Sequence, residues 1–379
     1  MLDLEFSQEQ EMLRKMVRGL CESYCPLSVV RELEDDPTGY PAELWKQLGE
    51  LDLVGLMLPE EHGGAGMSVL DGVVLYEELG RALAPVPHLV SAVMCGGALA
   101  LAGSSQQRAK WLPSIASGET VLVPAWFEPE NSCSPEGIQL RAVPDGDGYR
   151  LTGTKRHVAF GSSAERLLVL ARAGDRREDV DLFLVDPRAA GVTLLQQHTI
   201  AADSQYEVGL EAVLARASDR VGREGSGWGT WEETMLDACI LVGAQAVGGA
   251  RHALDITVQY AKDRRQFDKP LGAFQAISHY LSDAATALDG ATMLVYEAAW
   301  ARASGRDEAR RLAPMAKLFA CRSYRDVTAM AQQVFGGIGF TVEFDIQLYF
   351  RRAKQLQLSW WDEPYLEEKV AAEVFSDPV

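Results

Sequence analysis

The stretch Tyr260 to Leu281, YAKDRRQFDKPLGAFQAISHYL, sets a basic and aromatic turn between two long helical runs. Upstream, Thr234 to Gln259 contains no proline and is rich in small residues (Gly243, Ala244, Ala246, Gly248, Gly249, Ala250, Ala253), which lets a long helix pack closely on its neighbours. Downstream, Phe274 to Leu288 resumes a helical pattern, and Pro270 and Gly272 close the turn. Arg264 and Arg265 carry planar guanidinium donors suited to phosphate, and Phe267 offers a flat apolar face three residues beyond Arg264. Taken alone, Lys262, Arg264 and Arg265 equally suit a solvated helix end, where cations complement the negative end of the helix.

A second stretch, Gln332 to Phe340 (QQVFGGIGF), carries Gly336-Gly337, which permits close approach of backbone to a ligand. A lone Gly-Gly usually marks only a helix end. The order and spacing of the two stretches resemble the C-terminal half of the acyl-CoA dehydrogenase family, flavoenzymes that unsaturate acyl-CoA thioesters. The resemblance implies that an Arg-x-x-Phe turn and a Gln-x-x-Gly-Gly segment grip the pyrophosphate and adenosine part of an FAD lodged mainly in the neighbouring subunit. Carried over by position, those residues are Arg264, Phe267, Gln333, Gly336 and Gly337, with Gln275 following the turn. It implies further an acyl-CoA substrate and an electron-transferring flavoprotein as electron acceptor.

With 379 residues the chain can bury a large core and divide into two or three compact units. The formal charge of -18 argues against nucleic acid or an anionic membrane as principal partner, so an anionic nucleotide needs local arginines. No apolar run reaches membrane-spanning length: Ala92 to Ala102 is short and carries Gly96 and Gly97 at its middle. The N-terminal stretch MLDLEFSQEQEM lacks a basic-then-apolar signal pattern. The six cysteines are scattered, and Cys21-x-x-x-Cys25 has neither redox nor zinc spacing, which predicts reduced thiols in a cytoplasmic protein. Six single histidines with no His-Glu cluster predict no metal site.

Ser7 and Gln10 form a capping-box pattern ahead of Leu13, Met16, Val17 and Leu20, which predicts an amphipathic helix ending before Pro26. Pro41 to Leu51 reads as a second helix. Pro59 and Gly63-Gly64-x-Gly66 force a loop before a helix from Val69 to Leu83, and helical segments follow across Ala92 to Leu101 and Ser104 to Gly118. From about Thr120 to Val221 the pattern is β, with a hairpin turn at Asp145-Gly146-Asp147-Gly148 and strands at Leu167 to Ala171 and Val180 to Val185. After Gly225-Ser226-Gly227 the chain is helical again. The expected fold is α+β, the acyl-CoA dehydrogenase fold: an N-terminal helical domain over 1–119, a middle β domain over 120–225, and a C-terminal four-helix bundle over 226–379 that the resemblance implies assembles into tetramers.

In the family a glutamate abstracts the proton next to the thioester while the adjacent carbon delivers a hydride to the flavin. Matching Gly336 to Phe340 and Arg352-Ala353-Lys354 to the family's closing motif puts Trp360 at the usual glutamate and Trp361 at the glycine after it. An indole cannot act as a general base at neutral pH. Asp362 and Glu363 lie close by, in what reads as a solvated acidic loop before the last helix. The minority position for the base, early in the helix before the Arg-x-x-Phe turn, falls on Ala238, with Cys239 after it and Asp237 a quarter-turn aside. The flavin-facing stretches also depart: Phe127-Glu128-Pro129-Glu130-Asn131-Ser132-Cys133 and Lys155-Arg156-His157-Val158-Ala159 carry Phe127 and Ala159 for hydroxyls, and His157 for an aromatic ring.

The arrangement predicts a subunit with no identified catalytic residue of its own, working with a homologous acyl-CoA dehydrogenase chain that supplies the base and the flavin ring pocket. The resemblance links such mixed assemblies to bacterial enzymes for bulky acyl-CoA side chains, such as those of steroids. Two alternatives stand beside it: a self-sufficient homotetramer using Asp362, Glu363 or Asp237, and a non-enzymatic relative of the fold.

Overall fold

A computed structural model of the chain describes residues 6–129 and 132–376. Met1 to Glu5, at the head of the N-terminal stretch, and Glu130 and Asn131 of the flavin-facing stretch lie outside the described residues. Helices lead: α1 (Gln8–Tyr24), α2 (Leu27–Glu32), α3 (Ala42–Glu50) and α4 (Val69–Arg81), then, after a π-helical stretch at Leu89–Gly96, α5 (Gly97–Ala102) and α6 (Ser105–Ala116). Strands follow: β1 (Leu122–Ala125), β2 (Arg141–Asp145), β3 (Gly148–Ala159), β4 (Arg166–Arg172), β5 (Val180–Val185), β6 (Val192–Gln197), β7 (Gln205–Arg216) and β8 (Arg220–Val221). Then come α7 (Gly227–Asp263), the two-residue strands β9 (Arg265–Gln266) and β10 (Lys269–Pro270), α8 (Gln275–Ala303), α9 (Ala309–Phe335), α10 (Ile346–Leu358) and α11 (Glu363–Ser376). This is the helical, β, helical order of the α+β fold that the sequence predicts.

Local chemistry starts these elements. Ser7 accepts from the Gln10 N–H at 3.2 Å while Gln10 Oε1 accepts from the Ser7 N–H at 3.0 Å, and Ser104 and Gln107 repeat the same box at α6. Among the described residues no helix is long and apolar enough to cross a membrane.

The described residues form two compact units. One comprises Arg31–Ser68 and Pro85–Ala238 and holds the sheet, in the order β6-β7-β3-β2-β4-β5-β8, with β1 pairing parallel to β4. The β2–β3 hairpin turns through Gly146 and Asp147, with Asp145 opposite Gly148 and Gly146 at φ +61°. All of β5, and β4 from Leu167 onward, is buried, which is why both read as unbroken apolar runs. His88 is buried here and donates through Nε2 to the Leu53 carbonyl at 3.1 Å. Burial pulls its imidazole down from 6.5 to about 4.

The other unit takes in α1, α4 and the chain from Cys239 onward. Its α7 meets α4 backbone to backbone: a Cβ on Gly248 would stand 1.9 Å from the Glu77 carbonyl oxygen, and one on Gly80 2.0 Å from that of Gln245. Beside that contact Glu77 and Glu78 are buried and fully engaged. Arg18 holds Glu78 with two bonds of 2.9 and 2.7 Å, while Arg14 and the Tyr296 hydroxyl hold Glu77 at 2.9 and 2.7 Å.

Two outcomes are expected. Gly248→Ala should lower the unfolding free energy in urea by about 3 kcal/mol, because either α4 or α7 must move, whereas Gly229→Ala, where a Cβ meets nothing within 4 Å, should cost nothing. The His88 contribution is complete above pH 6.5 and is lost as pH falls toward about 4, because only the unfolded chain takes up the proton in that window. Between pH 7 and 4.5 the wild type should therefore lose on the order of 2 kcal/mol more stability than His88→Gln.

Candidate functional site

At the end of α7 the chain turns through a hairpin in which Gln266 pairs with Lys269 and Arg265 with Pro270. Its corner residues, Phe267 at φ +51° and Asp268 at φ +63°, are both left-handed, and Arg265 closes the turn with a 3.0 Å bond to the Asp268 carbonyl. A bulky residue in that conformation costs about 1 kcal/mol. The two left-handed residues form the corner that joins β9 to β10, while the Phe267 ring is 87% exposed and only meets Phe274 edge-on at 6.3 Å. Arg264 is exposed, and its guanidinium makes no hydrogen bond or ion pair among the described residues, while its backbone is fixed by bonds to Tyr260 and Leu271. Gln275 is exposed at the first position of α8.

The second motif ends α9. Gly336 stands at φ +69°, ψ -147°, a region open only to glycine, and the chain continues as a short 3-10 turn through Phe340. Gly337 has no such backbone need, and a Cβ there would meet nothing within 4 Å. Gln333 is exposed, whereas Gln332 is buried and neither atom of its amide finds a partner. The Tyr260 and Phe335 rings stack at 4.3 Å and 16°, tying the last turn of α7 to the last turn of α9. Both motifs thus lie at one end of this unit, as turns of an antiparallel bundle.

The position matched to the family base lies in the turn from α10 to α11. Trp360 has φ +66° and Trp361 is fully buried. Asp362 caps α11, its Oδ1 accepting from the Tyr365 N–H at 3.1 Å. Glu363 accepts from Arg322 and from Gln357, the latter at 3.0 Å, and the Arg322 guanidinium holds its carboxyl below the usual range. Early in α7, Ala238 and Cys239 are fully buried and Asp237 is half-buried.

In the sheet-bearing unit, Lys155 is fully buried and binds Glu128 at 2.6 Å and the Trp126 carbonyl at 3.1 Å. Glu128 also accepts from the Gln139 and Leu140 N–H groups, each at 3.0 Å. Burial draws the Lys155 ammonium down to about 8 against the pull of Glu128. Alongside runs a row of rings: Trp231 to Trp126 at 5.6 Å, Trp126 to Phe127 at 5.4 Å, and Phe127 to His157 at 6.0 Å. His157 is exposed at φ +54°, with its N–H bound to Gln197, and Ala159 is buried. The Trp231 Nε1–H is buried without a partner. All six cysteines are buried free thiols, and no group of three His, Cys, Asp or Glu side chains among the described residues could hold a metal ion.

The family models match twice: acyl-CoA dehydrogenase, N-terminal domain, over residues 7–119, and acyl-CoA dehydrogenase, C-terminal domain, over residues 225–359. A probable acyl-CoA dehydrogenase of Bacillus subtilis (strain 168), YngJ, is 30% identical over 365 residues, covering 94% of this chain and 95% of its own. The chain belongs to the acyl-CoA dehydrogenase family. Two solved structures extend the likeness. The ChsE4-ChsE5 complex from Mycobacterium tuberculosis contains a chain with TM-score 0.90 and 28% identity, covering all of both chains. A Tcur3481-Tcur3483 steroid ACAD gives TM-score 0.87 and 31% identity over 97% of this chain and 98% of that one. The C-terminal match to this oxidoreductase family stops at residue 359, one short of Trp360.

Several residues here were not singled out from the sequence. Tyr260 and Phe335, which couple the two motifs, carry one available signal: each is an aromatic within a turn of its motif. Trp126 had its place directly before Phe127 as a signal, whereas nothing linked it to Trp231 about a hundred residues on. Glu128→Gln should lower stability by about 3–5 kcal/mol in urea melts, because it leaves the Lys155 ammonium buried without its counter-charge. A loss below about 1 kcal/mol would mean that the carbonyl of Trp126 suffices.

Proposed function

We infer that this chain is a subunit of an FAD-dependent acyl-CoA dehydrogenase that introduces the α,β double bond of an acyl-CoA thioester together with a homologous partner chain. The observation that carries this reading is the turn after α10. Trp360 stands where the base is expected, and the nearby carboxylates are committed, Asp362 to capping α11 and Glu363 to Arg322. A carboxylate held by a guanidinium is a weak proton acceptor, so the base is assigned to the partner.

The end of the bundle supports a donor role toward a shared cofactor. Arg264 offers an unpaired guanidinium for a pyrophosphate, and Phe267, kept exposed at a steric cost, offers a ring face for an adenosine. A Cβ on Gly336 or Gly337 would meet nothing within 4 Å, which leaves that backbone open to a ligand, with Gln333 and Gln275 exposed beside the turns. When bound, FAD supplies the acceptor for the hydride leaving the β carbon. Arg264, Gln333 and the Gly336-Gly337 backbone would bind and orient it, and proton removal from the α carbon falls to the partner. The ChsE4-ChsE5 and Tcur3481-Tcur3483 structures support a two-chain assembly, and the latter's steroid label supports a bulky acyl group. An electron-transferring flavoprotein is the proposed electron acceptor, and the cytoplasm the proposed compartment.

The test is the ratio of flavin to chain by visible absorbance, alone and after co-expression with the nearest homologous chain. Little flavin alone, rising to about one per two chains in the complex, is the expected result. One flavin per chain in the isolated, active protein would overturn the shared site. Within the complex, Arg264→Ala should weaken flavin retention about ten- to a hundredfold, the worth of one hydrogen bond to a charged group. Unchanged retention would remove Arg264 from the site.

A further inference from the structure

Lys317 lies in the first half of α9 with no exposed surface, and its ammonium finds no carboxylate among the described residues. Its acceptors are two backbone carbonyls, Trp361 at 2.8 Å and Leu356 at 3.3 Å. Both belong to the C-terminal end of α10 and the turn after it, where unpaired carbonyls and the helix dipole favour a cation. A buried cation is nevertheless a poor way to hold two helices together, since an apolar side chain of the same shape avoids the desolvation cost. What the ammonium adds is a fixed backbone.

The turn it grips is short and held at each step. The Ser359 N–H and hydroxyl both bind the Gln355 carbonyl, at 2.8 and 2.7 Å. Trp361 is fully buried, with its ring edge-on to Tyr365 at 5.4 Å, and Asp362 is fixed as the cap of α11. Between these anchors Trp360 is held at φ +66°, a conformation that any residue with a Cβ leaves when the backbone is free to relax.

We propose that Lys317 is a positioning residue whose ammonium, through the Trp361 carbonyl, fixes the direction of the side chain at position 360. This rests on the reading that position 360 stands at the acyl site, and it assigns to α9 the task of presenting that residue. The loss of the carboxylate base has then changed the side chain on the mount and left the mount itself in place.

The experiment uses the assembled complex with this chain labelled by 5-fluorotryptophan, whose eight tryptophans give separate fluorine resonances. Trp360→Phe assigns the line of Trp360. In wild type one sharp Trp360 line is expected. In Lys317→Met, which keeps the volume and removes the ammonium, that line should split or broaden away while those of Trp45 and Trp111 stay in place. A single unshifted Trp360 line in folded Lys317→Met overturns the proposal. Should that variant not fold, Lys317→Gln, a shorter neutral donor, is read by the same criterion. Octanoyl-CoA added to wild type separates the two layers. A shift of the Trp360 line supports its place at the acyl site. No shift, together with splitting in Lys317→Met, overturns that place and leaves the clamp standing.

Discussion

The helical unit depends on one steric constraint, the contact of α7 with α4 at Gly248 and Gly80. Neither glycine has room for a methyl group, since each Cα faces a carbonyl of the other helix. Gly249 repeats the constraint on another side, where a Cβ would stand 2.5 Å from the Tyr324 hydroxyl oxygen. Packed at this distance, α7 cannot rotate or slide without collision, so the point at which it ends is set. The buried Glu77 and Glu78 follow from the same contact, because α4 has carboxylates where a core would take apolar side chains. Arg14, Arg18 and Tyr296 make them tolerable, with Arg81 3.8 Å from Glu78 as a further counter-charge.

Function enters where these helices stop. The turns after α7 and α9 leave groups open: Phe267 is exposed at a left-handed hairpin corner, Gly336 ends α9 in a glycine-only conformation, and the Gln332 amide is buried without a partner. The turn after α10 is held from within, through the Ser359 hydroxyl, the Trp361 carbonyl and the Asp362 cap, while Trp360 stands at φ +66° and the Trp361 Nε1–H is buried without a partner.

The outline of the fold was legible in the sequence because it rests on local signals. The capping box at Ser7, the Asp145 to Gly148 turn and the small-residue run of α7 each act within a few residues, and each stands where the pattern placed it. The elements not singled out are those whose stability is borrowed. Helix α2 is six residues long, below what propensity alone can hold. Strand β7, although twelve residues long, mixes buried and exposed positions and carries Ala212 at φ +49°, so its alternation breaks, and its pairing with β3 and β6 is what makes it a strand.

The sequence by itself determined the architecture and the residue types at the two turns, because helix periodicity, caps and glycine positions are properties of short segments. It also determined that an indole stands at position 360. The tertiary structure decided which of the remaining groups are available. Only packing shows that Asp362 and Glu363 are taken up by a cap and an arginine, that Tyr260 and Phe335 bring the two motifs to one end, and that Lys317 reaches across to the Trp361 carbonyl. The reason is physical: a side chain's chemistry is set by the partners that fill its hydrogen-bonding capacity, and those of Glu363 and Lys317, Arg322 and the Trp361 carbonyl, lie 41 and 44 residues away along the chain.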